Sequence, residues 1–255
     1  MRYSLYQEYY KFIHKRITWI SPLIIFILMV CLGATFGNKG GRWLIMSSYG
    51  ACQWIALLLV IVGSTIFSME FQNNAILTLL YKTPSKLYVY LSKLIVIYVY
   101  NIILHILTMI FTAILKMTAL NGSFSWFSIY QYKQNLLINM FATTGVDLFT
   151  SLLIIGVIFL TSCLINNNAV VVTVNIVIIF MGTNFSNSLL NTYNKYSSII
   201  KWNPLNMSNL TLQYANYPVY RKLTMLTNLQ ITIGTLVYSI ILFYIGYLVF
   251  RKKRF

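Results

Sequence analysis

The sequence predicts an all-α polytopic membrane protein with six transmembrane helices, and three observations predict it. First, 58% of the 255 residues are hydrophobic and only 9% are charged, against about 25% charged in a water-soluble domain. Too little charge is available to cover a globular surface, so lipid is the natural solvent. Second, six apolar runs approach or exceed the roughly 20 residues that a helix needs to cross a bilayer. Third, the runs are continuous, whereas a membrane β-barrel shows short alternating segments.

Taken in order, the runs fall at 19–36, 50–67, 94–115, 136–165, 169–185 and 229–250. Within hydrocarbon each must satisfy its own backbone hydrogen bonds, which selects helix. The fourth run exceeds one span, so its helix starts either at Leu136 or near Asp147. The fifth is short and carries Asn175. No separable soluble domain or internal repeat is evident, and no cleavable signal precedes the first run.

Residues 1–16 are too polar to span. Drawn as a helix, Leu5, Tyr6, Tyr9, Phe12 and Ile13 share one face, and Ser4, Gln7, Glu8, Lys11, His14 and Lys15 the other. That pattern suits an amphipathic helix lying in the headgroup plane. Basic residues flank the spans: "HKR" abuts the first and "RKKR" follows the last. By the positive-inside rule both termini are expected in the cytoplasm, in a plasma membrane. The net charge of +16 is then membrane anchoring. No basic face is long enough for nucleic acid.

Orientation places 69–93 on the cytoplasmic side and 187–228 outside. The inner segment, "EFQNNAILTLLYKTPSK", reads as a short helix ended by Pro84, because the residue before a proline resists helical backbone. Ser85 then caps the helix leading into the third span. A short helix joined rigidly to two spans is a lever. The outer segment holds apolar patches, "SLL", "SSIIKW" and "LTLQY", which predict short interfacial or re-entrant helices before the sixth span.

Catalytic and metal chemistry finds little support. The three cysteines, Cys31, Cys52 and Cys163, sit inside apolar runs and match no metal or disulfide pattern. "GNKGGR" at 37–42 has the wrong spacing for a phosphate-binding loop. Two histidines and three acids, Glu8, Glu70 and Asp147, cannot build most intramembrane proteases. Intramembrane polar residues are Asn101, His105, Asp147 and Asn175. His105 either lines a pathway or bonds a neighbouring helix. Asp147 is either a headgroup-level residue at a helix start or, if the helix starts at Leu136, a buried group that needs a partner.

The inner segment resembles the corresponding loop of ABC-2-type transporter permeases. Glu70-Phe71, Leu77, Leu80, Pro84, Ser85-Lys86 and Lys93 carry the resemblance. Asn74-Ala75 stands where that family usually has Gly-Thr, Lys86 stands for Arg, and the proline is offset by one residue. "WNPLN" at 202–206 is also similar to the family's outer loop. The resemblance implies a permease subunit with no catalysis of its own. A separate ATPase subunit, carrying ATP and Mg, docks on the coupling helix, and two permease chains line the pathway. The docking set it implies is Glu70, Phe71, Ile76, Leu77, Leu80, Lys82, Ser85 and Lys86. The compact build resembles lantibiotic-immunity permeases and phenol-soluble-modulin exporters, which implies an amphipathic, membrane-active peptide as cargo. A membrane-embedded assembly factor and a stand-alone channel are the other classes the composition allows.

Overall fold

A computed structural model describes residues 2–36, 40–73, 75–81, 85–118 and 124–253, apart from the side chains of Thr78, Leu80 and Tyr81. Its described residues form thirteen α-helices and no strand beyond one bridging pair, Ile129 and Asn135. Six spans are long and apolar enough to cross a membrane, and the chain is an all-α polytopic membrane protein.

Helix α1 (Arg2–Ile13) precedes the first span, α2 (Arg16–Phe36). Its placement turns part of the predicted polar face inward. Ser4, Glu8 and Phe12, spaced i, i+4, i+8, form the buried face, while Tyr6 and Tyr9 stand exposed. The buried line therefore includes the polar edge, for a reason given below: Glu8 has cationic partners on other helices.

Inside α2, Pro22 has no N–H, so the carbonyl of Thr18, four residues earlier, loses its intrahelical donor. Tyr100 Oη donates to that carbonyl at 3.0 Å. A proline is thus tolerated in hydrocarbon because a neighbouring span supplies the missing donor.

The second span is a broken helix. The short α3 (Gly41–Met46) leads into α4 (Ala51–Gln72). Between them Ser48, Tyr49 and Gly50 all take left-handed backbone, with φ of 48°, 53° and 70°. The helix then continues past the predicted end of the span, so Glu70 and Phe71 belong to α4. The inner helix proper is α5 (Ala75–Tyr81). Ser85 caps α6 (Lys86–Met117) by accepting from the Tyr88 N–H at 3.4 Å.

Helix α7 (Leu136–Leu164) starts at the early alternative, so Asp147 lies about 16 Å along it at 1.5 Å per residue. Asn167 caps α8 (Asn168–Thr192). Four short helices follow: α9 (Ser197–Ile200), α10 (Pro204–Met207), α11 (Leu210–Ala215) and α12 (Tyr217–Thr224). The last span is α13 (Asn228–Lys252), opened by a capping box between Thr227 and Gln230.

Helix α7 is the hub, packed against α4, α6, α8, α11 and α13. Near the end of the bundle that holds both termini, the core is aromatic. Phe67, Tyr90, Phe159 and Phe250 have ring centroids 5.1–6.1 Å apart. At the other end the short helices dip between spans. Helix α10 wedges between α8 and α13, and small residues make the room. A Cβ on Gly182 would stand 2.9 Å from Leu205, and one on Gly234 2.4 Å from Met207.

Candidate functional site

At the terminal end, the two acids from α1 and α4 meet two lysines in a closed ring. Glu8 places one carboxylate oxygen 2.6 Å from Lys11 Nζ and the other 2.8 Å from Lys93 Nζ. Glu70 does the same, with one oxygen on Lys11 and the other 2.6 Å from Lys93. Each carboxylate bridges both ammonium groups, and the four charges cancel. Lys93 is fully buried and also donates to the Ile66 carbonyl at 3.3 Å. A buried ammonium survives only when paired this fully. The ring ties α1, α4 and α6 together at the root of α5.

Lys15, in the turn between α1 and α2, lies near the ring. Its Nζ is 3.5 Å from the Thr65 carbonyl. Burial, then the charge of Lys93, lowers its pKa to about 8.

The predicted docking residues separate into inward and outward groups. Phe71 and Ile76 are buried in the chain's own core, and Glu70 is committed to the ring, so these three do not offer a free surface. Lys86 turns onto the end of α13, donating to the Arg251 and Lys253 carbonyls at 3.1 and 2.9 Å. Cations at a helix C-terminus satisfy its last carbonyls and its dipole. Ser85 is spent as a cap. Leu77 stays outward, 47% exposed against 1% for Ile76. Lys82 and Pro84, and the side chain of Leu80, lie outside the described residues, as do positions 37–39 of the glycine-rich stretch.

Between the spans, the structure joins His105 and Asp147. His105 Nε2 is 2.9 Å from Asp147 Oδ2, and its Nδ1 is 2.8 Å from the Asn101 carbonyl. A carbonyl only accepts, so Nδ1 carries a hydrogen. The contact between Nε2 and the carboxyl then needs one proton, held by either partner. Thr211 of α11 donates to Asp147 Oδ1 at 2.8 Å, and Thr150 lies 2.7 Å from the Thr211 hydroxyl. The Cys52 thiol neighbours the same carboxyl. The structure thus corrects the headgroup-level alternative: Asp147 is buried and links α6, α7 and α11.

The side chains of Asn101 and Asn175 do not join that group. Asn101 Nδ2 donates to Ser151 at 2.6 Å. Asn175 accepts from Thr161 at 2.8 Å and donates to Ser64 at 3.2 Å, which fastens α8 to α7 and α4. Among the described residues no cluster of three metal-ligating side chains occurs.

Residue-level reading of the sequence placed Glu8, Lys11 and Lys15 only on the polar face of the first helix, with no site role, and did not single out Thr150 or Thr211. One signal could have found the first two. With only three acids in so apolar a chain, each is expected to have a specific cation, and Glu8 is one of them.

No curated protein matches the chain. A family model described as "ABC-2 family transporter protein" matches residues 4–182, more than half of the chain and the whole of the charge ring and the His105–Asp147 pair, and the chain belongs to that family.

Proposed function

We propose that the chain is the transmembrane subunit of an ATP-driven exporter, with a separate ATPase docked on the outward face of α5. One observation carries this reading. Helix α5 bridges two spans, its Ile76 and Leu79 are locked into the core, and its Leu77 is exposed. Its root abuts the charge ring. A push on α5 therefore moves α4 and α6 as a unit and reaches α1 through Glu8 and Lys93. Rigid-body motion of this sort is how packed helices switch. Both termini and α5 lie in the cytoplasm in this reading, and ATP with Mg belongs to the partner. A second permease chain, identical or related, completes the pathway.

The cargo we assign is an amphipathic, membrane-active peptide. The support is the compact build and the resemblance of the inner loop, together with an outer end closed by short helices rather than by an added domain. The intramembrane polar groups bond one another, which favours a transporter over a stand-alone channel.

The test is co-expression with a candidate P-loop ATPase, sought first in the neighbouring reading frames, followed by purification in mild detergent. The assembled complex is expected to co-purify, and its ATPase to rise on adding amphipathic peptides. Absence of co-purification, or an ATPase indifferent to every such peptide, overturns the docking and the cargo readings respectively.

A further inference from the structure

The terminal end of the bundle contains a cleft of about 750 Å³ between α1, the last turns of α4, α5 and the first turns of α6. The charge ring is part of its wall and is formally neutral. Lys15 lines the same cleft, and among the described residues no carboxylate lies within ion-pair distance of it. The titratable groups around it are Tyr6, Glu8, Tyr10, Lys11 and His14 from α1 and its turn, Glu70 from α4 and Lys93 from α6. Both carboxylates already bridge two lysines. Among its described lining residues the cleft therefore presents one uncompensated lysine, Lys15.

Its remaining wall is largely apolar, with Phe12, Ile66, Met69, Leu79 and Val96. A second groove of about 550 Å³ adjoins it across α1 and shares Tyr6, Phe12 and Val96. That groove is lined by Trp19, Pro22, Val99 and Ile103, with Arg2 at its rim. Both volumes fall within the range of small-molecule sites, about 300–1,000 Å³. Together they fit an anion with an apolar tail. A zwitterionic head is a poorer match, because the Lys15 cation would repel its ammonium while both acids are engaged.

We propose that this cleft binds the phosphate of an anionic phospholipid from the adjacent leaflet, with Lys15 as the cation and the neighbouring groove holding an acyl chain. The lone charge selects the anion, and the apolar walls select a lipid over a soluble ion. The inference rests on the membrane fold and is independent of the docked ATPase, so either can fail alone.

The experiment is native mass spectrometry of the full chain in mild detergent, titrated with phosphatidylglycerol or phosphatidylcholine. The wild type is expected to retain phosphatidylglycerol, and Lys15→Gln to lose it at least fivefold. Lys15→Arg is expected to restore it, and Lys133→Gln, on the opposite end, to change nothing. Val99→Trp, which fills the groove without touching charge, is expected to weaken retention too. This second variant keeps the test valid if Lys15→Gln misfolds. A pH arm adds a separate readout. Raising the pH from about 7 to about 9 takes the proton from Lys15, given its depressed pKa, and is expected to release lipid from the wild type but not from Lys15→Arg. The same change does not loosen the fold through Lys15. Its folded pKa lies below the ordinary value, so losing that charge favours the folded state. Equal retention of both lipids, or unchanged retention by Lys15→Gln and Val99→Trp, overturns the proposal. Displacement by millimolar inorganic phosphate reassigns the cleft to a free anion and overturns the lipid assignment.

Discussion

His105 and Asp147 hold a single proton between them at the centre of the bundle. Nδ1 of the imidazole is committed as a donor to the Asn101 carbonyl, and Nε2 faces Oδ2 at 2.9 Å. The pair is net neutral whichever partner holds the proton, which is what makes it tolerable at that depth. The arrangement sets how its loss should be read. Removing one partner of a buried ion pair costs about 3–5 kcal/mol when a bare charge is left behind. Here the shared proton can leave with Asp147, so no charge is stranded. Asp147→Ala is expected to cost about 1–3 kcal/mol, the cost of an unsatisfied buried polar group. Asp147→Asn is expected to cost less, because its amide can donate to Nε2 and accept from Thr211. Thermal unfolding in detergent checks both. A loss for Asp147→Asn as large as for Asp147→Ala would show that the charge, not the hydrogen bonds, is what matters.

The charge ring predicts the opposite magnitude. Lys93→Met leaves two carboxylates, from α1 and α4, with only the half-exposed Lys11 between them. No proton is available within the ring to relieve them. The expected loss is about 3–5 kcal/mol. Acidification from about pH 8 to about pH 5 should narrow it, since a proton added to one carboxylate removes the repulsion. The triple variant Glu8→Gln, Glu70→Gln, Lys93→Met should recover most of the stability. Unfolding midpoints across that pH range decide the matter; a pH-independent deficit would count against the ring.

The two clusters show what was legible in the sequence and what was not. The six spans were readable because hydrocarbon demands long apolar runs, and no alternative structure meets that demand. Ser85 was readable as a cap because its role is set by residues within one turn. Partners on different helices were not. Which turn of α7 meets His105 depends on the relative register of two spans, which local pattern does not encode. Glu8 was assigned to the polar face of α1 by amphipathicity, which does not show that this face meets the buried Lys93 of another helix. Phe71 and Ile76 entered the docking set through the resemblance, which does not reveal that the chain's own core takes both, one at the end of α4 and one on the inner row of α5. Thr211 was hidden because the depth reached by α11 is a tertiary fact.

The two rows of α5 give a paired prediction. Leu77→Glu places a charge on the exposed row, so the chain should fold and insert as the wild type does while losing the partner ATPase on co-purification. Ile76→Glu places the same charge in the core, where an unpaired carboxylate is strongly disfavoured, and should lower yield and thermal stability. Both are measured by size-exclusion profile, unfolding midpoint and ATPase recovery. If Leu77→Glu retains the ATPase at wild-type levels, the exposed row is not the docking face.

Tyr100 and Pro22 allow a cycle in which one defect cancels another. Tyr100→Phe removes the hydroxyl that donates to the Thr18 carbonyl, whose i+4 donor Pro22 deletes. The expected cost is about 1 kcal/mol, read as a lowered unfolding midpoint in detergent. Pro22→Ala restores an N–H four residues after Thr18, so the helix can satisfy that carbonyl itself. In the Pro22→Ala background, Tyr100→Phe should therefore cost close to nothing. The coupling between the two sites is the measured quantity, and it separates the lost hydrogen bond from any change in packing around the ring, which both backgrounds share. An additive pair would mean that the contribution of the tyrosine hydroxyl does not depend on Pro22.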